Sequence, residues 1–342
     1  MTARTIALDH INGAEAAALL VDGRLDDLRI DSDQPRPGAI YRAIADRPVK
    51  GQGGMFLRTP DGSAFLRQIK GLAPGQPLLV QVTGYAEPGK ALPVTVKLLF
   101  KSRYAIVTPE APGLNLSRAI KDDDLRDRLL QIAHSEMGES DMGLILRSAC
   151  AEGDAEEIAE DIRTMQDLAR AVLADAAGRE PEKLTEGDGP HALAWRDWAE
   201  PSEVITDPGC FATLGVLDQV DRLSDAQVPL PGGGSYFVEP TRALVAVDVN
   251  TGGDASPAAG LKANLAALRA LPRQLRLRGL GGQVVLDLAP SPKKDRRQIE
   301  QAARGALRAD PVETALVGWT PLGHLELQRK RERLPLKEAL PG

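Results

Sequence analysis

ALVAVDVN, at residues 243–250, and QVVLDLAP, at residues 283–290, are two matching strand patterns separated by a segment of helical spacing. Alternation along the first strand places Asp248 and Asn250 on one face and three valines on the other. Asp287 lies near the carboxyl end of the second strand. Strand, helix and strand in this order predict a right-handed crossover between parallel strands. We therefore expect both aspartates at one edge of a sheet, where open α/β sheets bind ligands.

The segment between the two strands predicts a helix with one apolar face. Pro272 is expected to kink or interrupt this helix, and Gly279 offers a stop after it. The apolar face is formed by leucines at helical spacing, namely Leu261, Leu265, Leu268, Leu271 and Leu275.

Two carboxylates with an amide beside them suit Mg²⁺, which prefers oxygen ligands and keeps several waters. The alternative is that Asp248 and Asp287 only cap turns or helices, and their matched positions at two strand ends argue against it. A basic segment follows the second strand and could hold a phosphate backbone, although a run of this kind is also typical of a solvated helix face. Its cations are Lys293, Lys294, Arg296, Arg297, Arg304 and Arg308.

The sequence before residue 225 predicts four smaller structural segments. Residues 1–37 contain short strands with a hairpin turn at Asp22-Gly23, and residues 38–100 contain about five strands typical of a small β-barrel. Residues 101–186 are mixed α/β, with a helical pattern from Ala155 to Ala176. No obvious chemistry occurs in residues 187–224, which we interpret as packing support.

Composition limits the function classes. At 342 residues the chain predicts two to four domains, and the sequence contains neither a long apolar span nor a signal-peptide pattern, which favours the cytoplasm and no membrane partner. The net charge is −6, but residues 271–342 carry 14 basic against 8 acidic side chains, so the basic surface is local.

Cys150 and Cys210 are too far apart in sequence for a metal knuckle. The four histidines, His10, His134, His191 and His324, are scattered, and we assign them structural or surface roles.

Residues 230–328 closely resemble the catalytic core of the ribonuclease E/G family, through LPGGGSYFVEPTRALVAVDVNTG and NLAALRALPRQLRLRGLGGQVVLDL. The resemblance implies that Asp248 and Asp287 bind a catalytic Mg²⁺ and that Asn250 helps to hold the active arrangement. It also implies an endoribonuclease that cuts single-stranded RNA and leaves 5′-phosphate and 3′-hydroxyl ends.

Upstream, IYRAIADRPVKGQGGMFLRTPDGSAFLRQI and LLVQVTGYAEPGKALPVTV resemble the family's OB-fold RNA-binding domain of ribosomal-protein type. By motif, Phe56 and Phe65 match aromatic residues that contact RNA, and Lys90 matches a basic contact. For the two phenylalanines, the barrel core is the alternative position. GLILRSA resembles the family's 5′-monophosphate pocket, with Arg147 and Ser148 supplying a guanidinium and a hydroxyl.

The sequence departs from the family in two places. CAEGDAEE follows the pocket where the family has a glycine-rich, lysine-bearing loop, which brings negative charge near the anion site. The family's CPxC zinc link and small domain are absent from the sequence, so neither structural zinc nor the zinc-linked tetramer is expected, and a monomer or homodimer remains.

We therefore predict a multidomain α/β protein. An RNase H-like support is assigned to residues 1–37 and 187–224, the OB-fold to 38–100, the 5′-sensor to 101–186 and a DNase I-like catalytic domain to 225–342. The predicted function is a magnesium-dependent endoribonuclease acting in RNA processing or decay. The alternative is a non-catalytic RNA-binding protein on the same scaffold.

Overall fold

The structure, a computed structural model, describes residues 3–49, 53–67, 71–198, 201 and 203–340. The chain divides into two compact units, at residues 32/33 and 200/201. One unit combines the amino-terminal strands with the last 142 residues, and the other contains the intervening chain. The domain boundaries within these units stay a prediction.

An antiparallel meander opens the chain. It consists of β1 (Arg4–Ile11), β2 (Ala14–Val21) and β3 (Arg24–Ile30). Both connecting turns, Asn12-Gly13 and Asp22-Gly23, have positive φ at their two residues. Such turns match the twist of paired strands, so the hairpin predicted at Asp22-Gly23 is confirmed and Asn12-Gly13 forms another one.

Five strands then close into a small barrel. β7 pairs back onto β4, and the order around the barrel is β4-β5-β6-β8-β7. Alternate residues such as Tyr41, Leu57 and Val80 fill its interior. The predicted five-stranded barrel is therefore confirmed and is OB-like. Its strands are β4 (Ile40–Val49), β5 (Gly54–Thr59), β6 (Gly62–Leu66), β7 (Pro77–Val82) and β8 (Leu92–Thr95).

A second sheet in the same unit has the order β11-β12-β10-β9, and two helices, α1 and α2, pack with it around a common core. Asp122 and Asp154 cap the amino ends of these helices by accepting backbone N–H bonds. The helix predicted from Ala155 is confirmed. The elements are β9 (Phe100–Lys101), β10 (Ala105–Thr108), β11 (Gly113–Leu116), α1 (Asp123–Met137), β12 (Gly143–Leu146), α2 (Ala155–Ala174), β13 (Glu182–Thr185) and α3 (Pro190–Asp197).

The chain next returns to the amino-terminal sheet. β14 (Glu203–Ile205) pairs in parallel with β1, and the short helices α4 (Cys210–Thr213) and α5 (Val216–Asp221) follow. Phe211 and Val216 from these helices pack into the core of the meander.

The last part of the chain is a six-stranded sheet of order β15-β16-β17-β18-β20-β19. β17 and β18 are parallel, as the crossover rule predicts, and α6 connects them. The elements are β15 (Gln227–Pro229), β16 (Ser235–Pro240), β17 (Val245–Asn250), α6 (Ala259–Leu277), β18 (Gly282–Asp287), α7 (Arg296–Ala309), β19 (Thr314–Trp319), β20 (Leu325–Arg329) and α8 (Leu336–Ala339).

Helix α6 runs through Pro272 without a break, so of the kink or interruption expected there, the interruption is wrong. A proline inside a helix costs about 3 kcal/mol. Leu268, Leu271 and Leu275, on both sides of the proline, are almost fully buried against the sheet. Burial of such side chains contributes about 1.5–3 kcal/mol each, which is enough to keep the helix continuous. The helix ends before Gly279, whose φ of 64° fits the predicted stop.

Arginines and aspartates form a buried network in the same unit. Arg329 donates to Asp310 over 2.9 Å, Arg276 bonds both Asp310 and Asp26, and Arg333 forms a two-pronged pair with Asp27. The side chains of Arg329 and Asp310 are each only 1% exposed. Burial tends to raise the pKa of Asp27, but the neighbouring guanidinium groups, Arg333 foremost, outweigh it and hold that pKa below its usual value.

Among the described helices, none is long and apolar enough to cross a membrane.

Candidate metal and RNA site

The two strand-end aspartates lie side by side. In the parallel pairing of β17 and β18, Asp248 is the direct register partner of Asp287. Val245, Val247 and Val249 point into the core, so alternation turns Asp248 to the open face of the sheet. Adjacent strands are spaced about 4.8 Å apart, which brings the two carboxylates close together. The structure thus brings together the residues that the sequence predicted as a pair.

Asn250 belongs to the same arrangement. Its amide Nδ2 donates a 2.9 Å hydrogen bond to Oδ2 of Asp248. Because the two residues are two positions apart on one strand, they share a face, and the bond fixes one carboxylate oxygen. The other oxygen is left available to a ligand.

Glycines let the chain close tightly beyond this strand end. Gly252 has a φ of 63°, and a Cβ on it would lie 2.2 Å from the carbonyl oxygen of Gly233. The PGGG turn therefore packs against the backbone of Gly252 at a distance that only glycine allows. This contact secures the end of the β16–β17 pair that carries Asn250.

A buried amide holds the loop after Asp287. Asn264 of α6 is fully buried, donates to the carbonyl of Ala289 over 2.9 Å and accepts from its N–H over 2.8 Å. Both backbone groups of Ala289 are thereby paired, so the chain leaves the strand in one fixed direction. The sequence analysis did not predict a role for Asn264. Its only unusual feature in the sequence is that it is a polar residue on the apolar face of the predicted helix.

Two ring-bearing residues flank the pair of aspartates. On one side, Phe237 of β16 is the register partner of Asp248 and is half-buried. On the other side, Nδ1 of His324 lies 3.4 Å from Oδ1 of Asp287. One row across three neighbouring strands thus contains Phe237, Asp248 and Asp287, and His324 extends this row from the position just before β20. Sequence reasoning assigned His324 a structural or surface role, because the pairing of β20 with β18 is not visible in the sequence.

Within the described residues, no lysine or arginine neutralises the two aspartates. Across the described residues, neither Asp248 nor Asp287 forms an ion pair with lysine or arginine, and the Asp287 side chain is 70% exposed. Adjacent carboxylates repel each other unless a cation lies between them. The part of the chain that the structure describes contains no cluster of three or more acidic, histidine or cysteine ligands for a metal. Two carboxylates that leave the remaining positions to water and phosphate fit Mg²⁺.

A short basic turn and the start of α7 follow the Ala289 loop. Lys293, Lys294 and Arg297 are exposed. Next to them, Arg296 lies 4.5 Å from the ring centre of Trp319, which donates to Glu300 over 2.8 Å. The three predicted cations are thus accessible, and their role with RNA stays a prediction.

On the barrel, the two predicted phenylalanines pair across neighbouring strands. Phe56 of β5 and Phe65 of β6 are register partners with ring centres 5.2 Å apart. Both are half-buried, while Met55, Leu57 and Leu66 fill the interior, so the barrel-core alternative is wrong. The guanidinium of Arg47 lies 5.1 Å from the Phe56 ring centre. The barrel therefore presents a paired aromatic surface with a cation over it.

The third residue predicted on the barrel, Lys90, lies in the turn before β8. Its side chain is 64% exposed and forms a 2.9 Å ion pair with Glu87. An exposed pair of this kind is weak, about 0–1 kcal/mol, so Glu87 does not remove Lys90 from reach of a ligand.

In the predicted phosphate pocket, the guanidinium of Arg147 is already bound by other groups of the protein. Arg147 forms a 3.0 Å ion pair with Asp197 and donates to the carbonyl oxygens of Ser102 and Arg196. Its side chain is 25% exposed, while Ser148 is exposed at the start of the next turn. A phosphate at this position would have to compete with Asp197 for the guanidinium.

Both cysteines are free and buried. Burial raises the pKa of the Cys150 thiol to about 12 and also raises that of Cys210. Neither thiol is therefore a reactive thiolate at neutral pH.

Comparison with known proteins shows which family and which proteins the chain is similar to. The model of the ribonuclease E/G family matches residues 100–208 and 202–332. Ribonuclease E of Nostoc sp. is 28% identical, with 93% of the chain and 54% of that protein covered. Ribonuclease G of Salmonella typhimurium is 26% identical, with 99% and 82% covered. Ribonuclease E of Synechocystis sp. is 26% identical, with 95% and 56% covered. The chain thus spans about half the length of these two ribonuclease E relatives.

Proposed function

Because the chain belongs to the ribonuclease E/G family, we propose that it is a magnesium-dependent endoribonuclease that cuts single-stranded RNA beside Asp248 and Asp287. The observation that carries this proposal is the register pairing of the two carboxylates on an open sheet face, with no protein cation between them in the described residues. The relatives supply the reaction class, since their names are ribonuclease E and ribonuclease G.

In the proposed reaction, Asp248 and Asp287 would hold the metal and Asn250 would keep the Asp248 carboxylate in one orientation. When bound, Mg²⁺ would supply an activated water and would neutralise charge that develops on the phosphate. If water attacks phosphorus and the bond to O3′ of the upstream nucleotide breaks, the ends are a 5′ phosphate and a 3′ hydroxyl. No protein nucleophile is required for this hydrolysis.

Single-stranded RNA would be held by stacking and by charge. Phe56 and Phe65 offer ring faces for bases, with Arg47 and Lys90 as cations on the same barrel. Near the metal site, the half-buried Phe237 offers another ring beside Asp248. The phosphate backbone would contact the exposed cations that follow β18, namely Lys293, Lys294 and Arg297.

Arg147 and Ser148 are proposed to sense a 5′ monophosphate. A guanidinium and a hydroxyl suit a terminal phosphate. Because Arg147 is already paired with Asp197, we propose that this sensing is weak. RNA with a 5′ hydroxyl would then be cut at a similar rate.

The proposals on domain identity, localisation and subunit number rest on the resemblance to the family. We propose that the six-stranded sheet with α6 and α7 is the DNase I-like catalytic domain, and that the amino-terminal meander with β14 belongs to a reduced RNase H-like support. We further propose a cytoplasmic enzyme of RNA processing or decay that is a monomer or homodimer. The expectation that structural zinc is not required stays a prediction.

The experiment that tests this function is cleavage of an end-labelled, AU-rich single strand by the full chain. We expect cleavage with Mg²⁺, none with EDTA, and slow cleavage of the same sequence in a duplex. Tight binding without any cleavage would contradict the proposal and favour a non-catalytic RNA-binding protein.

A further inference from the structure

His324 lies where it can act on one oxygen of Asp287. The antiparallel register that pairs Leu286 with Leu325 makes Asp287 and His324 the next cross-strand neighbours. Nδ1 of His324 is 3.4 Å from Oδ1 of Asp287, and this nitrogen is buried without a hydrogen bond although the imidazole as a whole is one third exposed. An imidazole nitrogen that carries a proton can donate to a carboxylate oxygen, and a small adjustment from 3.4 Å would allow this bond.

A hydrogen-bonded turn fixes the backbone at His324. The N–H of Thr320 donates to the carbonyl of His324 over 2.9 Å, and the N–H of His324 donates to the Thr320 hydroxyl over 3.0 Å. Gly323, with a φ of 94°, closes the turn, and the tip residue Leu322 is 87% exposed. The backbone at His324 is therefore fixed by the turn, which places the side chain beside Asp287.

We propose that His324 is a positioning residue of the metal site, which holds the Asp287 carboxylate through a hydrogen bond from Nδ1 to Oδ1. This inference rests on the proposed metal site and adds to it a residue outside the predicted set. The bond requires only that Nδ1 of His324 carries a proton. A shift of a few tenths of an ångström brings the two atoms to bonding distance. Oδ2 of Asp287 would then remain to bind the metal.

Asp248 and Asp287 would thus each have one oxygen fixed by a neighbouring donor. Asn250 donates to Oδ2 of Asp248 from within the same strand. His324 would do the same for Asp287 from the next strand. Direct ligation by His324 is disfavoured, because Mg²⁺ prefers oxygen ligands and Nδ1 already faces the carboxylate. Removal of a donor that orients a metal ligand in this way typically lowers metal affinity about 10–100-fold.

The test is Mn²⁺ binding to the full chain without RNA, measured at fixed pH by the electron paramagnetic resonance signal of the free ion. His324→Leu removes the donor and should weaken binding about 10–100-fold. His324→Asn places an amide N–H near the position of Nδ1 and should keep most of the affinity. Leu322→Ala, in the same turn but pointing to solvent, is the matched control and should bind as the unmodified chain does.

The possible outcomes distinguish a failure of the proposed metal site from a failure of the role proposed for His324. If Asp287→Asn binds Mn²⁺ as tightly as the unmodified chain, the metal site itself fails, and the inference with it. If Asp287→Asn loses binding while His324→Leu keeps it, the metal site stands and the role of His324 is overturned. Equal losses in His324→Leu and His324→Asn would also overturn it. Should His324→Leu not fold, His324→Gln replaces it, because the longer amide reaches the position of Nε2 and should not rescue binding.

Discussion

The buried network around Asp310 predicts a large loss of stability from one substitution. In Asp310→Ala, Arg329 loses the carboxylate to which it donates over 2.9 Å, and both side chains are 1% exposed. Arg276 keeps its 3.0 Å pair with Asp26, so the uncompensated charge falls on Arg329. Breaking a buried pair by removing one partner costs about 3–5 kcal/mol. For a unit of about 170 residues this corresponds to a fall of roughly 8–14 °C in the melting temperature.

Differential scanning calorimetry measures this loss, with the exposed Glu313→Ala as the control that should change little. The double variant Asp310→Ala with Arg329→Leu should be more stable than Asp310→Ala alone, because the unpaired buried charge is gone. A loss below about 1 kcal/mol for Asp310→Ala, or strictly additive losses in the double variant, would refute the reasoning, because either result means that the pair is not desolvated.

Other predictions concern RNA binding, end sensing and acid stability. Phe56→Ala and Phe65→Ala should each weaken binding of a single strand by about 1–3 kcal/mol in fluorescence anisotropy; a lower melting temperature with unchanged affinity would show that the rings only pack. Asp197→Asn should release Arg147 and raise the preference for 5′-monophosphate over 5′-hydroxyl RNA, measured as a ratio of initial cleavage rates; an unchanged ratio would contradict the competition. The lowered pKa of Asp27 means that its contribution to stability is present above its usual pKa of 3.8 and is lost as the pH falls through the folded-state pKa. Asp27→Asn should therefore be destabilising in urea at pH 7, with the difference from the unmodified chain shrinking below about pH 3.8, and a constant difference would be inconsistent with this linkage.

The parts of the site that follow from local rules were predictable from the sequence. Alternation places Asp248 opposite the buried valines, and the strand–helix–strand order makes the two strands parallel. Together these two rules bring Asp248 beside Asp287. The barrel was predictable in the same way, from short strand patterns between glycine and proline turns.

The remaining features depend on contacts between distant positions. His324 reaches Asp287 only through the antiparallel pairing of β20 with β18, and its spacing in the sequence does not reveal that register. Arg147 meets Asp197 fifty positions later. The break expected at Pro272 did not occur, because packing of the flanking leucines overrides a local preference.

The most direct test of the central claim is single-turnover cleavage by Asp248→Asn and Asp287→Asn under saturating Mg²⁺, with RNA affinity measured in parallel. Both substitutions keep the shape of the side chain and remove one ligand charge. We expect cleavage to fall by at least about 100-fold, equivalent to about 2.7 kcal/mol of activation free energy, with RNA affinity unchanged. Undiminished cleavage by either variant would contradict the assignment of the two aspartates as the metal site.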